Sequence, residues 1–314
     1  MVAFLDFEKP VAELRARIEE LRETADANST LKIDAEVAKL QQQSDKVLRD
    51  LYAKLSPWQK TQVARHQERP HFKDYVAGIA SDFMMLAGDR AFSDDQAIIG
   101  GLARVGGRRV MLIGHEKGDD TASRIRHNFG MAKPEGYRKA IRLMKLAERF
   151  GLPVVTLVDT AGAFPGVQAE ERGQAEAIAR STEACLELKV PIVAAIVGEG
   201  GSGGAVALAG ANRVLMFEHA IYSVISPEGA SSILWRTADR AADAAEAMKV
   251  TAQDLEKLGV VDRIVPEPVG GAHRDKPAAI ASLAAAIDDE LDRLATMPPA
   301  ALLAARRDKF LKIG

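Results

Sequence analysis

The sequence predicts an α/β protein preceded by a helical arm, and three observations carry that prediction. Two strand–glycine-turn–helix units stand in tandem, 154–158 into 159–166 and 192–197 into 198–205. Ahead of them, strand-like runs at 97–105 and 108–115 are joined by Gly106-Gly107, which predicts a hairpin. The first fifty-odd residues carry thin apolar stripes at helical spacing instead.

In the arm, Val11, Leu14, Ile18 and Leu21 keep a 3-4-3 spacing, and Ile33, Val37 and Leu40 start a second stripe that Val47, Leu51 and Leu55 extend. Residues 26–30 (Asp-Ala-Asn-Ser-Thr) break the two, so a helical hairpin is expected, with residues 1–66 as the arm and 67–314 as the main domain. Ser56 is a helix N-cap, Pro57 occupies the first turn and Gln59 closes a capping box. Two such stripes cannot form a core alone, so the arm is expected to pack on the body or on a second subunit.

After the hairpin come eight Arg or Lys residues between 124 and 149. Most are expected on the solvated face of the helix that carries Tyr137, Ile141, Met144 and Leu146. Arg124, Arg126 and Lys133 precede that helix and are candidates for an anionic ligand or a partner's acidic surface. Strand 154–158 is entered through Gly151-Leu152-Pro153, and one helix rich in Glu and Ala is expected from about 168 to 188. The tandem units place two glycine turns at one edge of a sheet, where α/β proteins bind ligands. Asp159-Thr160 reads equally well as a turn or capping pair and as a catalytic pair. Beyond residues 260–265, helices follow from Pro277, broken at Pro298-Pro299.

Residues 198–205 read Gly-Glu-Gly-Gly-Ser-Gly-Gly-Ala, and three motifs overlap there. Glycines permit positive φ and close approach to the main chain. Gly198-x-Gly200-x-x-Gly203, with Glu218 twenty residues on, matches a dinucleotide fingerprint. Against it, Gly210-Ala211-Asn212 ends the helix at once and a strand resumes at Arg213. Gly200-x-Ser202-x-Gly204 matches a nucleophile elbow, for which His219 or His273 and Asp239, Asp243 or Asp262 are available, though no motif flags them. The third reading is an oxyanion hole: Gly203-Gly204 opening a helix, with unpaired amides and the positive dipole end aimed at the turn. No Lys-Ser/Thr pair follows, which excludes a P-loop.

A net charge of −2 over 314 residues gives no whole-chain argument for nucleic acid or a membrane. The one cysteine, Cys185, lies on an apolar helix face and is read as core packing, so no disulfide forms within the chain. No secretory leader or spanning run is seen, which predicts a cytoplasmic protein. His66 and His71 are expected as surface or capping groups, His115 and His219 at strand ends, His127 in a polar turn and His273 in a glycine-rich loop. None is at metal-ligand spacing, so no metal is expected in this chain.

Several blocks together resemble the alpha subunit of the bacterial acetyl-CoA carboxylase carboxyltransferase, nearly end to end. They are Asp159-Thr160-x-Gly162-Ala163-x-Pro165-Gly166, Ala169-Glu170-Glu171-Arg172-Gly173-Gln174, the run from 198 to 205 and Ser226-Pro227-Glu228-Gly229. Arg126-x-Asn128-Phe129-Gly130-Met131, Pro134-Glu135-Gly136-Tyr137-Arg138-Lys139-Ala140 and Pro266-Glu267-Pro268-x-Gly270-Gly271-Ala272-His273-Arg274 add to these, as does the opening Phe4-Leu5-Asp6-Phe7-Glu8. Two departures stand out. The family usually has Pro at Ala161 and Cys-Ala at Ala230-Ser231.

The resemblance implies a crotonase (ClpP-like) fold, a superhelix of β-β-α units. It also implies transfer of a carboxyl group from carboxybiotin to acetyl-CoA to give malonyl-CoA, the first committed step of fatty acid biosynthesis. Backbone amides of Gly203 and Gly204 would hold the biotin ureido oxygen as it turns anionic, and losing one such donor typically costs about 3–4 kcal/mol. The freed ureido nitrogen would take the α-proton of the acetyl group. Gly162, Ala163, Gly201, Ser202, Glu228 and Gly229 would shape the biotin pocket, Glu228 reading equally as a first-turn glutamate favoured by the helix dipole. Arg124, Arg126 and Lys133 would meet coenzyme A phosphates or a partner. Implied partners are a zinc-ribbon beta subunit in an α2β2 assembly that supplies the second oxyanion hole, a biotin carboxyl carrier protein, and biotin carboxylase in the larger complex. A Gly204→Val variant is expected to lose transfer while still assembling. Two other readings stand beside this one: a stand-alone acyl-CoA hydratase or thioesterase using Glu199, and a non-catalytic scaffold binding acyl-CoA or RNA.

Overall fold

The computed structural model describes residues 3–27 and 33–313. Helices α1 (Lys9–Ala27) and α2 (Asp34–Tyr52) pack on each other as the arm. Most of the predicted break between them falls on residues 28–32, outside the described residues. Helix α3 (Pro57–Ala64) starts as its sequence dictates: Gln59 donates its amide to Ser56 Oγ at 3.2 Å, and Ser56 donates its own to Gln59 Oε1 at 2.8 Å. The arm docks on the body of its own chain. Val11, Leu48 and Tyr52 cluster with Val63 of α3 beneath Phe4, Leu5 and Phe7. Glu8, fully buried there, accepts from Tyr52 Oη at 3.0 Å and from Arg274 Nη2 at 2.6 Å.

Next come α4 (Phe72–Ile79), β1 (Ala80–Met85), and the hairpin β2 (Ile98–Val105) and β3 (Arg108–His115). Gly106 (φ 55°) and Gly107 (φ 78°) supply the two positive φ values that a tight loop matched to strand twist requires. Helices α5 (Thr121–Arg126) and α6 (Pro134–Arg149) lead to β4 (Val154–Thr160). Then follow α7 (Val167–Glu171), α8 (Gln174–Glu187), β5 (Ile192–Gly201), α9 (Ser202–Ala209), β6 (Arg213–Phe217) and β7 (Ile221–Ser223). The chain finishes with α10 (Pro227–Trp235), α11 (Ala241–Ala247), α12 (Ala252–Lys257), β8 (Arg263–Val265), α13 (Lys276–Ala295) and α14 (Pro299–Leu311).

One eight-stranded sheet runs β1-β2-β3-β4-β5-β6-β8, with β7 on the far end of β5. Pairing is antiparallel through β1, β2 and β3 and parallel from β3 onward. Every residue of β4 and β5 is buried, as expected of parallel strands covered on both faces. This is the α/β architecture predicted from the tandem units. Because β4 and β5 are parallel neighbours, their C-terminal turns share one edge.

Two expectations need correction. The helix read from 168 to 188 is two helices, because Gly173 takes φ 79° and the Arg172 guanidinium swings to Glu135 at 2.6 Å. The basic face of α6 is also less solvated than expected. Lys139 is buried on Asp94 and the Asp95 carbonyl, Arg138 pairs with Asp89 and Glu135, and Arg142 donates to the carbonyls of Leu86, Ala87 and Gly88. Only Lys145 and Arg149 of that helix's five cations are exposed.

Candidate active site

Strands β4 and β5 are fastened to each other just before their turns. Asp159 Oδ1 accepts the Glu199 amide at 2.9 Å and meets Lys117 Nζ at 2.6 Å. Burial works to raise the Asp159 pKa, but the Lys117 ammonium outweighs it and holds the carboxyl below its ordinary value. Thr160 Oγ1 donates to the Gly162 carbonyl at 2.7 Å and accepts the Gly162 amide at 3.1 Å. Thr160 is thus spent on the turn, and Asp159 commits Oδ1 to the scaffold.

The glycine run does not use the positive φ that its glycines permit. Strand β5 continues through Gly201, because Glu199, Gly200 and Gly201 pair with Ile221, Tyr222 and Ser223 of β7. None of the run's five glycines has positive φ; the one left-handed residue is Ser202, at φ 55°. The glycines admit the protein's own atoms. An added Cβ would lie 2.5 Å from Asp159 Oδ1 at Gly198, 2.9 Å from the Tyr222 ring at Gly200 and 2.2 Å from the Ala161 carbonyl oxygen at Gly201. Close packing here leaves Ser202 to absorb the strand-to-helix turn, a conformation costing about 1–2 kcal/mol for an L-residue.

Helix α9 begins at that turn, with Gly203 and Gly204 as its second and third residues. Amides at these positions have no intrahelical acceptor, and N-cap Gly201 has no side chain to offer one. Beside them opens a cleft of about 430 Å³ between the two turns. Gly162, Ala163 and Ser202 line it, with Phe164, Ile178, Val224 and Ile225 as apolar walls and Ser226 at its rim. A Cβ on Gly203 would point at Ile178, 3.2 Å from Cγ2. Gly201 and Gly204 are buried behind the cleft.

The remaining candidates separate. Gly229 donates its amide to Ser226 Oγ at 3.0 Å, capping α10. Glu228 turns to Arg65 Nη1, 2.6 Å away. Burial works to raise the Glu228 pKa, but the bond to Arg65 brings it below the ordinary value. Arg124 lines a second cavity, of about 250 Å³, with Arg65, Lys117, Asp159 and Glu199. Arg126 and Lys133 line a third, of about 440 Å³, with Asp94, Asp95 and Glu135. The three cations thus do not converge on one anion. Lys133 Nζ instead sits 4.9 Å over the Phe164 ring.

The nucleophile-elbow reading lacks its base. His219 packs edge-on to Tyr52 and His273 stacks on His66 at 3.8 Å, both at the base of the arm. His66 and His71 are buried, not surface groups, but His71 is the N-cap of α4 as expected, its amide donating to Asp74 Oδ2 at 2.9 Å, while His66 Nε2 lies 2.9 Å from the Ala3 carbonyl. His127, read in a polar turn, is buried with Nδ1 2.6 Å from the Gln96 carbonyl. Glu199 lies in the second cavity and is neutralised by Arg65 at 2.7 Å.

Sequence reading missed several contributors. Gln174 donates to the carbonyls of Ala132 and Phe164 at 2.9 and 3.0 Å, holding one cleft wall, and its place in the Gly173-Gln174 block was the available signal. Tyr137, given no role from the sequence, has a fully buried hydroxyl without a hydrogen-bond partner, which would lie 3.0 Å from a Cβ on Gly204. No motif pointed to Arg65.

The family model described as acetyl co-enzyme A carboxylase carboxyltransferase-like matches residues 4–314. A curated relative from Rhizorhabdus wittichii, an acetyl-coenzyme A carboxylase carboxyl transferase subunit alpha, is 79% identical over 314 residues, covering 100% of both chains. The protein of that name from Zymomonas mobilis is 67% identical, again over 100% of both chains. Among solved structures, transcarboxylase 12S with methylmalonyl-coenzyme A superposes with a TM-score of 0.60 at 22% identity, over 73% of this chain and 42% of that one. A Pseudomonas malonate decarboxylase hetero-tetramer in complex with coenzyme A gives a TM-score of 0.60 at 17% identity, over 74% and 90%. These two likenesses show the fold, which is the crotonase-like one. From a match spanning almost its whole length and relatives identical at most positions, the chain belongs to the acetyl co-enzyme A carboxylase carboxyltransferase-like family as an alpha-type subunit, a carboxyltransferase.

Proposed function

We propose that the cleft between the Gly162 and Ser202 turns receives the bicyclic urea of carboxybiotin, presented on a biotin carboxyl carrier protein, and that its carboxyl group passes to acetyl-CoA to give malonyl-CoA. The observation that carries this is the pairing of apolar walls with first-turn amides of α9 beside them. A fused ring with apolar faces and one polar carbonyl edge has that chemistry.

In the transfer the N–C bond to the carboxyl group breaks, a C–C bond to the acetyl carbon forms, and the acetyl α-proton moves to the ureido nitrogen. Gly203 and Gly204 amides hold the urea oxygen while negative charge gathers on it. Fixed backbone dipoles in a water-poor site do this without reorganising, which is where such donors gain their effect. Gly162 and Ala163 form the opposite wall, Gly201 and Ser202 set the turn, and Glu228 and Gly229 fix α10 behind the rim. The substrate carries its own base, so the transfer asks none of the cleft, whose one acidic lining residue is Glu170.

The thioester side needs a second oxyanion hole, assigned to a beta subunit bearing a four-cysteine zinc ribbon in an α2β2 cytoplasmic assembly, with biotin carboxylase as a further member. Exposed Val224 at the cleft and Ile233 and Leu234 on α10 offer that partner apolar surface. In this reading residues 1–66 are an arm and 67–314 the catalytic unit, and Arg124, Arg126 and Lys133 face the partner or the coenzyme A phosphates from separate sites. Among the described residues, no helix is long and apolar enough to cross a membrane.

The test is malonyl-CoA formation from acetyl-CoA and carboxylated carrier, using the chain alone and after co-purification with its companion. Turnover is expected only with the companion. Hydration or hydrolysis of acyl-CoA by the isolated chain would overturn the reading.

A further inference from the structure

Arg65 sits at the C-terminal end of α3, outside every motif that drew attention to this chain. Its guanidinium makes three bonds to two carboxylates. Nε and Nη2 donate to Glu199 Oε1 at 2.9 and 2.7 Å, and Nη1 donates to Glu228 Oε1 at 2.6 Å. These carboxylates belong to the two elements that set the width of the cleft. Glu199 lies on β5, three residues before Ser202, and its amide is held by Asp159. Glu228 lies in the first turn of α10, directly after rim residues Ile225 and Ser226.

We propose that Arg65 is a positioning residue for the carboxyl donor, fixing the distance between the β5–α9 turn and the rim of α10. The inference rests on the carboxyl-transfer reading. One guanidinium holds two acidic side chains close together, the Glu199 side chain only 7% exposed. Without the cation, the buried Glu199 carboxylate faces the partly exposed Glu228 carboxylate, and the α10 end, joined to the sheet through β7, yields first. Ile225 and Ser226 then move away from Gly162 and Ser202, and the donor's ring loses its far wall. Arg65 also lines the second cavity with Arg124, but only as one wall among several, whereas the donor's cleft takes its width from this spacing, so the effect falls first on the donor. Glu228 thus acts through Arg65 on the rim, and Arg65 through both carboxylates on the cleft.

The experiment uses the alpha chain co-assembled with its companion and runs the reaction backward, from malonyl-CoA to biocytin. Arg65→Met is expected to raise KM for biocytin at least tenfold, leaving KM for malonyl-CoA within twofold and the melting temperature within a few degrees. Arg65→Lys falls between the two. Arg65→Met with Glu228→Gln recovers part of the biocytin KM, because one of the facing charges is gone. An unchanged biocytin KM, or both KM values rising together without recovery in the double variant, overturns the proposal. Should Arg65→Met fail to assemble, Glu228→Gln alone carries the test, with a threefold or larger rise in biocytin KM expected and no change overturning it. A wild-type complex with no biocytin-dependent turnover would sink the carboxyl-transfer reading instead.

Discussion

Gly204 lies so close over Gly162 that a Cβ on the former would sit 2.8 Å from the carbonyl carbon of the latter. The same Cβ would be 3.0 Å from the Ala163 nitrogen, so the obstruction is backbone and cannot swing aside. Gly204→Val is therefore expected to lower stability by about 2 kcal/mol or more, and it cannot separate loss of chemistry from loss of structure, contrary to the expectation from sequence. Gly203→Val is the informative change. Its side chain meets Ile178, a wall of the cleft, whose Cγ2 would lie 3.2 Å from the new Cβ and need give by only a few tenths of an ångström, so the fold should persist while transfer falls at least a hundredfold. Wild-type turnover in Gly203→Val would refute the cleft assignment; thermal melts and steady-state rates of both variants decide it.

Arg69 and Glu267 form a second pair of consequence, two parallel bonds of 2.9 Å with both side chains essentially buried. Removing one partner strands the other's charge, so Glu267→Ala should cost about 3–5 kcal/mol. Burial works to raise the Glu267 carboxyl, yet the Arg69 guanidinium beside it holds it at about 2, below its ordinary 4.5. The folded value lies under the unfolded one. This contribution is thus complete above about pH 4.5 and is lost as pH falls from there toward 2. Urea titrations across that window should show a steeper loss for wild type than for Glu267→Gln; parallel curves would contradict the assignment.

How much of this could be read beforehand depends on the range of the interactions. The hairpin at Gly106-Gly107, the capping box at Ser56 and the short helix after Ser202 are local, and local residues specified them. The cleft was legible as two glycine turns because β4 and β5 are consecutive parallel strands. Its wall at Gln174 and its brace at Arg65 were not, since they depend on contacts between residues far apart in the chain, such as Arg65 with Glu228. The glycines of the run misled for the same reason. Gly198, Gly200 and Gly201 admit Asp159, Tyr222 and Ala161, and sequence shows that a residue is small without showing what lies against it.

His115 ends β3 with both ring nitrogens buried and unpartnered. Burial pushes its pKa down to about 4 from the ordinary 6.5. Above pH 6.5 the ring is neutral in both states. As pH falls from 6.5 to about 4 the unfolded chain takes up a proton that the native one refuses, and stability drops by up to roughly 3 kcal/mol. His115→Gln should flatten the stability profile across that interval, and an unaltered slope would show that the ring is not the titrating group.

Cys185 is fully buried, and burial pushes its thiol up to about 12. It should resist iodoacetamide at pH 8 in the native protein and react stoichiometrically in denaturant. Mass spectrometry of alkylated samples reads this directly; rapid native labelling would contradict its burial.

Glu8 waits longer for its companions than almost any other residue. Tyr52 follows it by 44 positions and Arg274 by 266, and both end on the same carboxylate oxygen. During synthesis, then, this acid cannot complete its bonds until residue 274 has emerged from the ribosome. Final seating of the arm is thus a late event, and a nascent product truncated before residue 274 would leave its opening segment without this anchor.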